Sequence, residues 1–319
     1  MKAGKSIQVV FVGAGMGGLG TAISLRKAGH KVIVLEQAPE FSEVFRPDYH
    51  KVLLQAAQSG ADVRKTSEVK TYLPEEGAVI LVDGTKIRGD LIIAADGVKS
   101  IARKAIGVSA EPHETGDSCF RVVILAKKLR ADPDLAGLSI RPGFEQWLGP
   151  DHHIIGYNVS EEKYFNLLMV IPDDRKVVGY KAPCSATEVK RAYTGWNNFV
   201  QKLLTFLPED VERWRLIDLP PIRGWIHPSN GLLLLGDAIH ATLPYLAQRA
   251  AMAIEDAAAL ATSYPISTRS RNFRTCCKFT CEHVKAERTR STRIIHKSLL
   301  YPYVKGTNAG HAKRDIWSW

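Results

Sequence analysis

Ser6-Ile7-Gln8-Val9-Val10-Phe11-Val12-Gly13-Ala14-Gly15-Met16-Gly17-Gly18-Leu19, followed by Lys31-Val32-Ile33-Val34-Leu35-Glu36, is the stretch that decides the fold. The first seven residues form an apolar run of strand length. Leu19 to Gly29 then carries Leu19, Ala22, Ile23 and Leu25 at helical spacing, and Gly29 is a stop that tolerates left-handed geometry. Lys31 to Leu35 is a second buried strand, so the stretch is a βαβ unit of the length a parallel sheet needs. Gly13-x-Gly15-x-x-Gly18 lies at the strand-to-helix junction. The first glycine makes a tight turn, the second lets backbone approach a pyrophosphate, and the third lets helix and strand pack closely. Free N–H groups and the positive end of the helix dipole then face the phosphate. Glu36, at the end of the second strand, is placed to accept hydrogen bonds from an adenosine ribose.

Further along, Pro47 to Gly60 reads as a helix with Val52, Leu53, Ala56 and Ala57 on one face. Val63 to Val69 and Ala78 to Val82 read as weak strands, and Asp83-Gly84 as a hairpin turn. Asp90 to Ala95 is a buried strand running into Asp96-Gly97. From about Glu111 to Leu219 the character changes. His153 to Val159 and Tyr164 to Ile171 alternate as antiparallel strands do, and Glu188 to Phe206 reads as one helix. Leu232 to Leu235 is a last buried strand ending in Gly236-Asp237, and an Ala-rich helix is expected over Ala250 to Ser263. The pattern predicts an α/β protein. Its Rossmann-like domain, residues 1–110 with 221–262, is split by a sheet-rich domain at 111–220, and a helical tail occupies 263–319.

Composition narrows the function classes. The 319 residues are 45% hydrophobic and 24% charged, ordinary for a globular protein, and no apolar run approaches the ~20 residues of a membrane span. The apolar N-terminal run is rich in Gly and is explained by the strand and loop rather than by a leader. Five scattered cysteines exclude a disulfide scaffold and fit a reducing, cytoplasmic setting. The net charge is +10, and residues 263–319 hold 12 Lys/Arg against 3 Asp/Glu. That tail reads as a solvated basic helix; no nucleic-acid motif accompanies it, so no nucleic-acid partner is expected. Its Cys276, Cys277, Cys281 and His283 lack the second CxxC of a zinc site, so no metal is expected.

Two more segments sharpen the reading. One is Gly89-Asp90-Leu91-Ile92-Ile93-Ala94-Ala95-Asp96-Gly97-Val98-Lys99-Ser100-Ile101-Ala102-Arg103. The other is Leu235-Gly236-Asp237-Ala238-Ile239-His240-Ala241-Thr242-Leu243-Pro244, continuing to Ile254-Glu255-Asp256-Ala257. With the first motif, in this order, they resemble the group A flavoprotein monooxygenases. These are aromatic hydroxylases of the para-hydroxybenzoate and salicylate hydroxylase type, and the chain is similar above all to a fungal branch. The resemblance covers residues 5–105 and 215–262 well, the middle moderately and the tail poorly.

It implies FAD as cofactor, NADH or NADPH as co-substrate, O2, and hydroxylation of a small aromatic or polyketide- or alkaloid-type substrate in secondary metabolism. It implies roles as well. Glu36 matches the ribose-binding acid, and Arg46 an arginine aimed at FAD. Asp96-Gly97 and Arg103 match a segment linked to both FAD and the nicotinamide. Asp237 matches the residue on the ribityl chain, and Ala250 the loop beside the isoalloxazine. Arg121 is similar to an arginine given a catalytic role in fungal members; an ion pair is its structural alternative. A flavin epoxidase or oxidase on the same scaffold, and a catalytically impaired flavin-binding protein, remain open.

The chain departs from the family in two places. After Val44, roughly 70 residues of the family pattern are absent, and the few that remain cannot replace that much pocket surface. Arg249 stands where members carry Gly, at a position expected to lie just before the helix. There a side chain in left-handed geometry costs ~1–2 kcal/mol.

Overall fold

The computed structural model describes residues 6–40, 47–139, 143–173, 179–222, 224–243 and 248–263. Arg46, the tail cysteines and His283 lie outside them. The described residues divide into two compact units, one of those up to 113 together with 217–263, the other of 114–216.

The first unit is built on five parallel strands. In chain order they are β1 (Gln8–Val12), β2 (Lys31–Leu35), β3 (Asp62–Arg64), β7 (Leu91–Ala94) and β14 (Leu232–Leu234), arranged β14-β7-β1-β2-β3. Val9 to Phe11, Ile92 to Ala94 and Leu232 to Leu234 are buried on both faces, which is why these strands read as unbroken apolar runs. α1 (Met16–Lys27) starts three residues before the expected Leu19 and ends two residues before Gly29, whose φ is +90°. α2 (Pro47–Gln58) follows the segment at 41–46.

A separate antiparallel sheet is formed by β4 (Val69–Leu73), β5 (Ala78–Leu81) and β6 (Lys86–Arg88). The single strand expected over Val63 to Val69 is therefore two strands in two sheets. Thr66, at φ +51°, turns the chain between them, and Ser67 N–H is drawn back to the Glu36 carbonyl at 2.8 Å. α3 (Ala102–Ala105) and α7 (Asp237–His240) are single turns, and α8 (Gln248–Ser263) closes the unit. No helix among the described residues is long and apolar enough to cross a membrane.

The second unit is a six-stranded sheet, β12-β13-β8-β11-β10-β9. Its strands are β8 (His113–Leu125), β9 (Phe144–Gly149), β10 (His152–Val159), β11 (Tyr164–Pro172), β12 (Lys181–Ser185) and β13 (Asp210–Asp218). Phe120, Val122, Ile124, Leu167 and Met169 point to one face and form a core with Val189, Val200 and Leu203. α4 (Ala126–Arg130) follows β8 directly. The one helix expected over Glu188 to Phe206 is two: α5 (Ala186–Ala192) and α6 (Asn198–Leu204). Gly195, at φ +83°, breaks the path, and each helix has its own cap: Ser185 accepts from Glu188 N–H and Asn197 from Val200 N–H.

Candidate cofactor site

Every strand of the parallel sheet that carries a motif delivers it at the same edge. β1 ends just before Gly13, β2 just before Glu36, β7 two residues before Asp96, and β14 two residues before Gly236-Asp237. β1 lies between β2 and β7, so the strand order reverses there, the switch point beyond whose carboxyl ends open α/β sheets bind ligands.

The three glycines differ in what surrounds them. A Cβ on Gly13 would sit 2.3 Å from the Ala95 carbonyl oxygen, and Gly13 has φ +103°. A Cβ on Gly18 would sit 2.2 Å from the Gly13 carbonyl oxygen. A Cβ on Gly15 would meet nothing within 4 Å. Gly13 and Gly18 thus permit close backbone packing, while Gly15 leaves open space at the N-terminus of α1. That terminus has no side-chain cap and no acidic residue in its first turn, so its donors stay available to an anion. α8 packs beside α1, with Gly17 facing Ala253 and Gly20 facing Ala257, so the two helices run in the same direction.

Glu36 closes the loop from the side. One carboxylate oxygen accepts Ala14 N–H at 2.8 Å, and the other accepts Ala38 N–H at 2.9 Å. It is half-buried, and each oxygen keeps a further lone pair. His50, from α2, holds the same loop through Nε2 and the Ala14 carbonyl at 2.8 Å. Sequence reading missed His50, because only the tertiary fold brings α2 to the loop.

Asp96 is turned inward. One oxygen accepts from Tyr72 Oη at 3.1 Å and from Ile101 N–H at 3.1 Å, steadying the turn into α3. The other is buried without a partner among the described residues. Burial raises the Asp96 pKa, against the opposing pull of the nearby Ser100 and Tyr72 hydroxyls. Burial, then the Asp96 charge, pushes Tyr72 well above the usual phenol range. Arg103 is buried, donating to the Ala238 carbonyl at 2.9 Å and the Val98 carbonyl at 2.7 Å. It ties the Asp96 segment to the Asp237 segment, a contact with no signal in the local sequence. Burial lowers its pKa, offset by Asp96 and Glu111.

Asp237 opens α7 immediately after Gly236 and is half-buried. Ala250 is half-buried near the start of α8. That helix begins at Gln248, two residues before the expected start. Arg249 therefore lies inside it with helical backbone, and the left-handed geometry expected at this position is not adopted.

Arg121 belongs to the second unit. It stands on β8, on the face opposite the Phe120–Val122 core, with its guanidinium carbon 5.8 Å from the centre of the Trp214 ring. Burial lifts the neighbouring Cys119 thiol to about 11, against the pull of Arg121. No metal-binding cluster occurs among the described residues.

These residues fit an adenine–ribityl–pyrophosphate cofactor: an open glycine at an uncapped helix start, a half-buried carboxylate at the end of the second strand, and an unpartnered buried carboxylate oxygen at the same edge. Comparison with known proteins agrees. Residues 2–115 match the family model described as pyridine nucleotide-disulphide oxidoreductase. The "FAD-dependent monooxygenase ntnJ" of Nectria sp is 30% identical, over 80% of this chain and 75% of its own length. The "3-hydroxybenzoate 6-hydroxylase 1" of Aquipseudomonas alcaligenes is 26% identical, over 79% of each. The crystal structure of CtdE in complex with FAD superposes with a TM-score of 0.79 at 20% identity, covering 94% of this chain and 96% of that one. The ntnJ alignment runs over 318 positions, yet 80% of 319 residues is only about 255, so about 63 positions have no residue here. The same arithmetic for the hydroxylase, 321 positions against about 252 residues, gives about 69. On the identity and coverage of ntnJ, the chain belongs to the FAD-dependent monooxygenases.

Proposed function

We propose that residues up to 113 together with 217–263 are the FAD-binding domain and 114–216 the substrate domain of an NAD(P)H- and O2-dependent hydroxylase. Its substrate is a small aromatic or polyketide- or alkaloid-type molecule of secondary metabolism. The observation that carries this reading is the contrast between Gly13 and Gly18, packed against backbone, and Gly15, open at the uncapped start of α1. FAD supplies the redox chemistry when bound. The residues of the chain bind and orient: the α1 N–H groups meet the pyrophosphate, Glu36 and Asp237 accept from ribose and ribityl hydroxyls, and Ala250 lies beside the ring. Arg121 holds an anionic or phenolic substrate, its guanidinium braced on Trp214. Arg46 completes the set on the family resemblance. The single strand–GxGxxG–helix unit suits an enzyme whose nicotinamide has no domain of its own. Cys119 and Cys184 are buried thiols outside any disulfide, which supports a reducing, cytoplasmic location.

The test is to purify the protein, record its visible spectrum, and follow NAD(P)H oxidation and O2 uptake against a panel of phenols and aromatic acids. A flavin spectrum with phenol-stimulated NAD(P)H oxidation and a product that gains one oxygen supports the reading. In the same assay Arg121→Met is expected to lower turnover at least tenfold with FAD still bound; loss of soluble protein instead would make Arg121 structural. A second reading, a flavin-binding protein of impaired turnover, draws on the 63 to 69 aligned positions without a residue here. Bound flavin with no phenol-dependent turnover would favour it.

A further inference from the structure

Behind the turn that carries Asp237 lies a buried titratable pair that the cofactor reading leaves unused. His240 is 1% exposed and Asp256 0%. His240 Nε2 faces Asp256 Oδ2 at 2.6 Å, and the same Oδ2 accepts Gly236 N–H at 3.0 Å. Gly236 has φ +60°, a turn that L side chains rarely adopt, and it leads directly into Asp237. One carboxylate oxygen therefore joins the entrance of α7, the exit of α7 and the middle of α8. The contacts continue outward. Ala253, one turn before Asp256, packs against Gly17 of α1, and Arg103 holds the Ala238 carbonyl within α7.

Asp256 Oδ1 and His240 Nδ1 are buried with no partner among the described residues. A buried His–Asp pair with two unpartnered atoms is a poor way to stabilise one turn of helix, because packed apolar side chains hold such elements without the desolvation penalty. What a shared acceptor does better is specify direction, since two donors must converge on one atom.

We propose that Asp256 is a positioning residue for the cofactor site: by gripping Gly236 and His240 together, it sets Asp237 relative to the glycine loop and the start of α8. The proposal rests on the FAD reading above.

The test compares Asp256→Asn, His240→Ala and His240→Gln with wild type. The readouts are hydrogen exchange of peptides covering 236–240, far-UV circular dichroism, FAD titration by flavin fluorescence, and visible circular dichroism of bound flavin. Asp256→Asn and His240→Ala are expected to fold, to exchange at 236–240 at least tenfold faster while β1 and β7 stay protected, to bind FAD about tenfold more weakly, and to change the flavin dichroism. His240→Gln, which keeps a donor toward Asp256, is expected to recover most of the protection and affinity. Wild-type exchange and affinity in Asp256→Asn and His240→Ala would overturn the proposal alone. So would equal loss of protection across the whole parallel sheet, the mark of a general stability role. If wild type itself takes up no FAD, the cofactor reading fails first and the role given to Asp256 falls with it.

Discussion

At the scale of single residues, Gly13 and Gly15 share a motif but answer to different physics. Gly13→Ala forces a Cβ to 2.3 Å from the Ala95 carbonyl oxygen at φ +103°. The positive φ alone costs ~1–2 kcal/mol and the overlap adds to it, so a loss above ~3 kcal/mol is expected. Urea unfolding of the apoprotein measures it. Gly15→Ala meets nothing within 4 Å, so its stability should change little while FAD affinity falls at least tenfold. Equal FAD affinity in the two proteins would remove Gly15 from the pyrophosphate site. Glu36 has a double part, holding Ala14 and Ala38 N–H groups while presenting lone pairs outward. Glu36→Ala is expected to weaken FAD binding by ~1–3 kcal/mol, the range for a lost hydrogen bond to a charged group. Unchanged flavin retention on dialysis would take Glu36 out of the site.

At the scale of elements, β10 carries a histidine that sets a pH dependence. His153 is brought down to about 4, by burial first and then by the nearby His152. Its folded pKa lies below the unfolded value of about 6.5, so between pH 6.5 and 4 the unfolded chain binds more protons. Stability then rises with pH through that window and is lost as the pH falls, by up to ~3 kcal/mol. Urea midpoints at pH 7 and pH 4.5 should differ accordingly, and His153→Gln should flatten the difference. A slope untouched by His153→Gln would assign the effect to other groups. The same scale explains the two element-level corrections. Thr66 and Gly195 both take positive φ, and each ends a pattern that apolar spacing alone carries through. Spacing reports which faces are buried, whereas a turn inside an apolar run is set by one residue's backbone and by what the next segment packs against.

At the scale of the whole molecule, ligand linkage gives the broadest check. FAD that binds only the folded state stabilises it by ~2.7 kcal/mol at a hundred times its dissociation constant. For a chain of this length the thermal midpoint of the flavin-linked transition should rise by ~4 °C, traced by scanning calorimetry with and without FAD. An unmoved midpoint at that concentration means that the folded protein holds no FAD. The division into two units adds a distinction, because a ligand confined to the parallel-sheet unit is expected to shift that unit's transition most.

The βαβ unit, the order of motifs and the class of cofactor were legible in the amino-acid sequence, because each depends on neighbours within about 30 residues: apolar period, glycine spacing and an acid at a strand end. β2 falls at Lys31–Leu35, where its apolar run lies. Tertiary structure alone decided the rest. It brought His50 to the Ala14 carbonyl across 36 residues, Arg103 to Ala238 across 135, and Asp256 to Gly236 across 20. It also turned Asp96 inward onto Tyr72 and gave Arg249 a helical backbone. Such contacts join groups whose nearest sequence neighbours play no part in them. Local periodicity records which side of an element is buried, but not which distant donor or acceptor the fold will set against it.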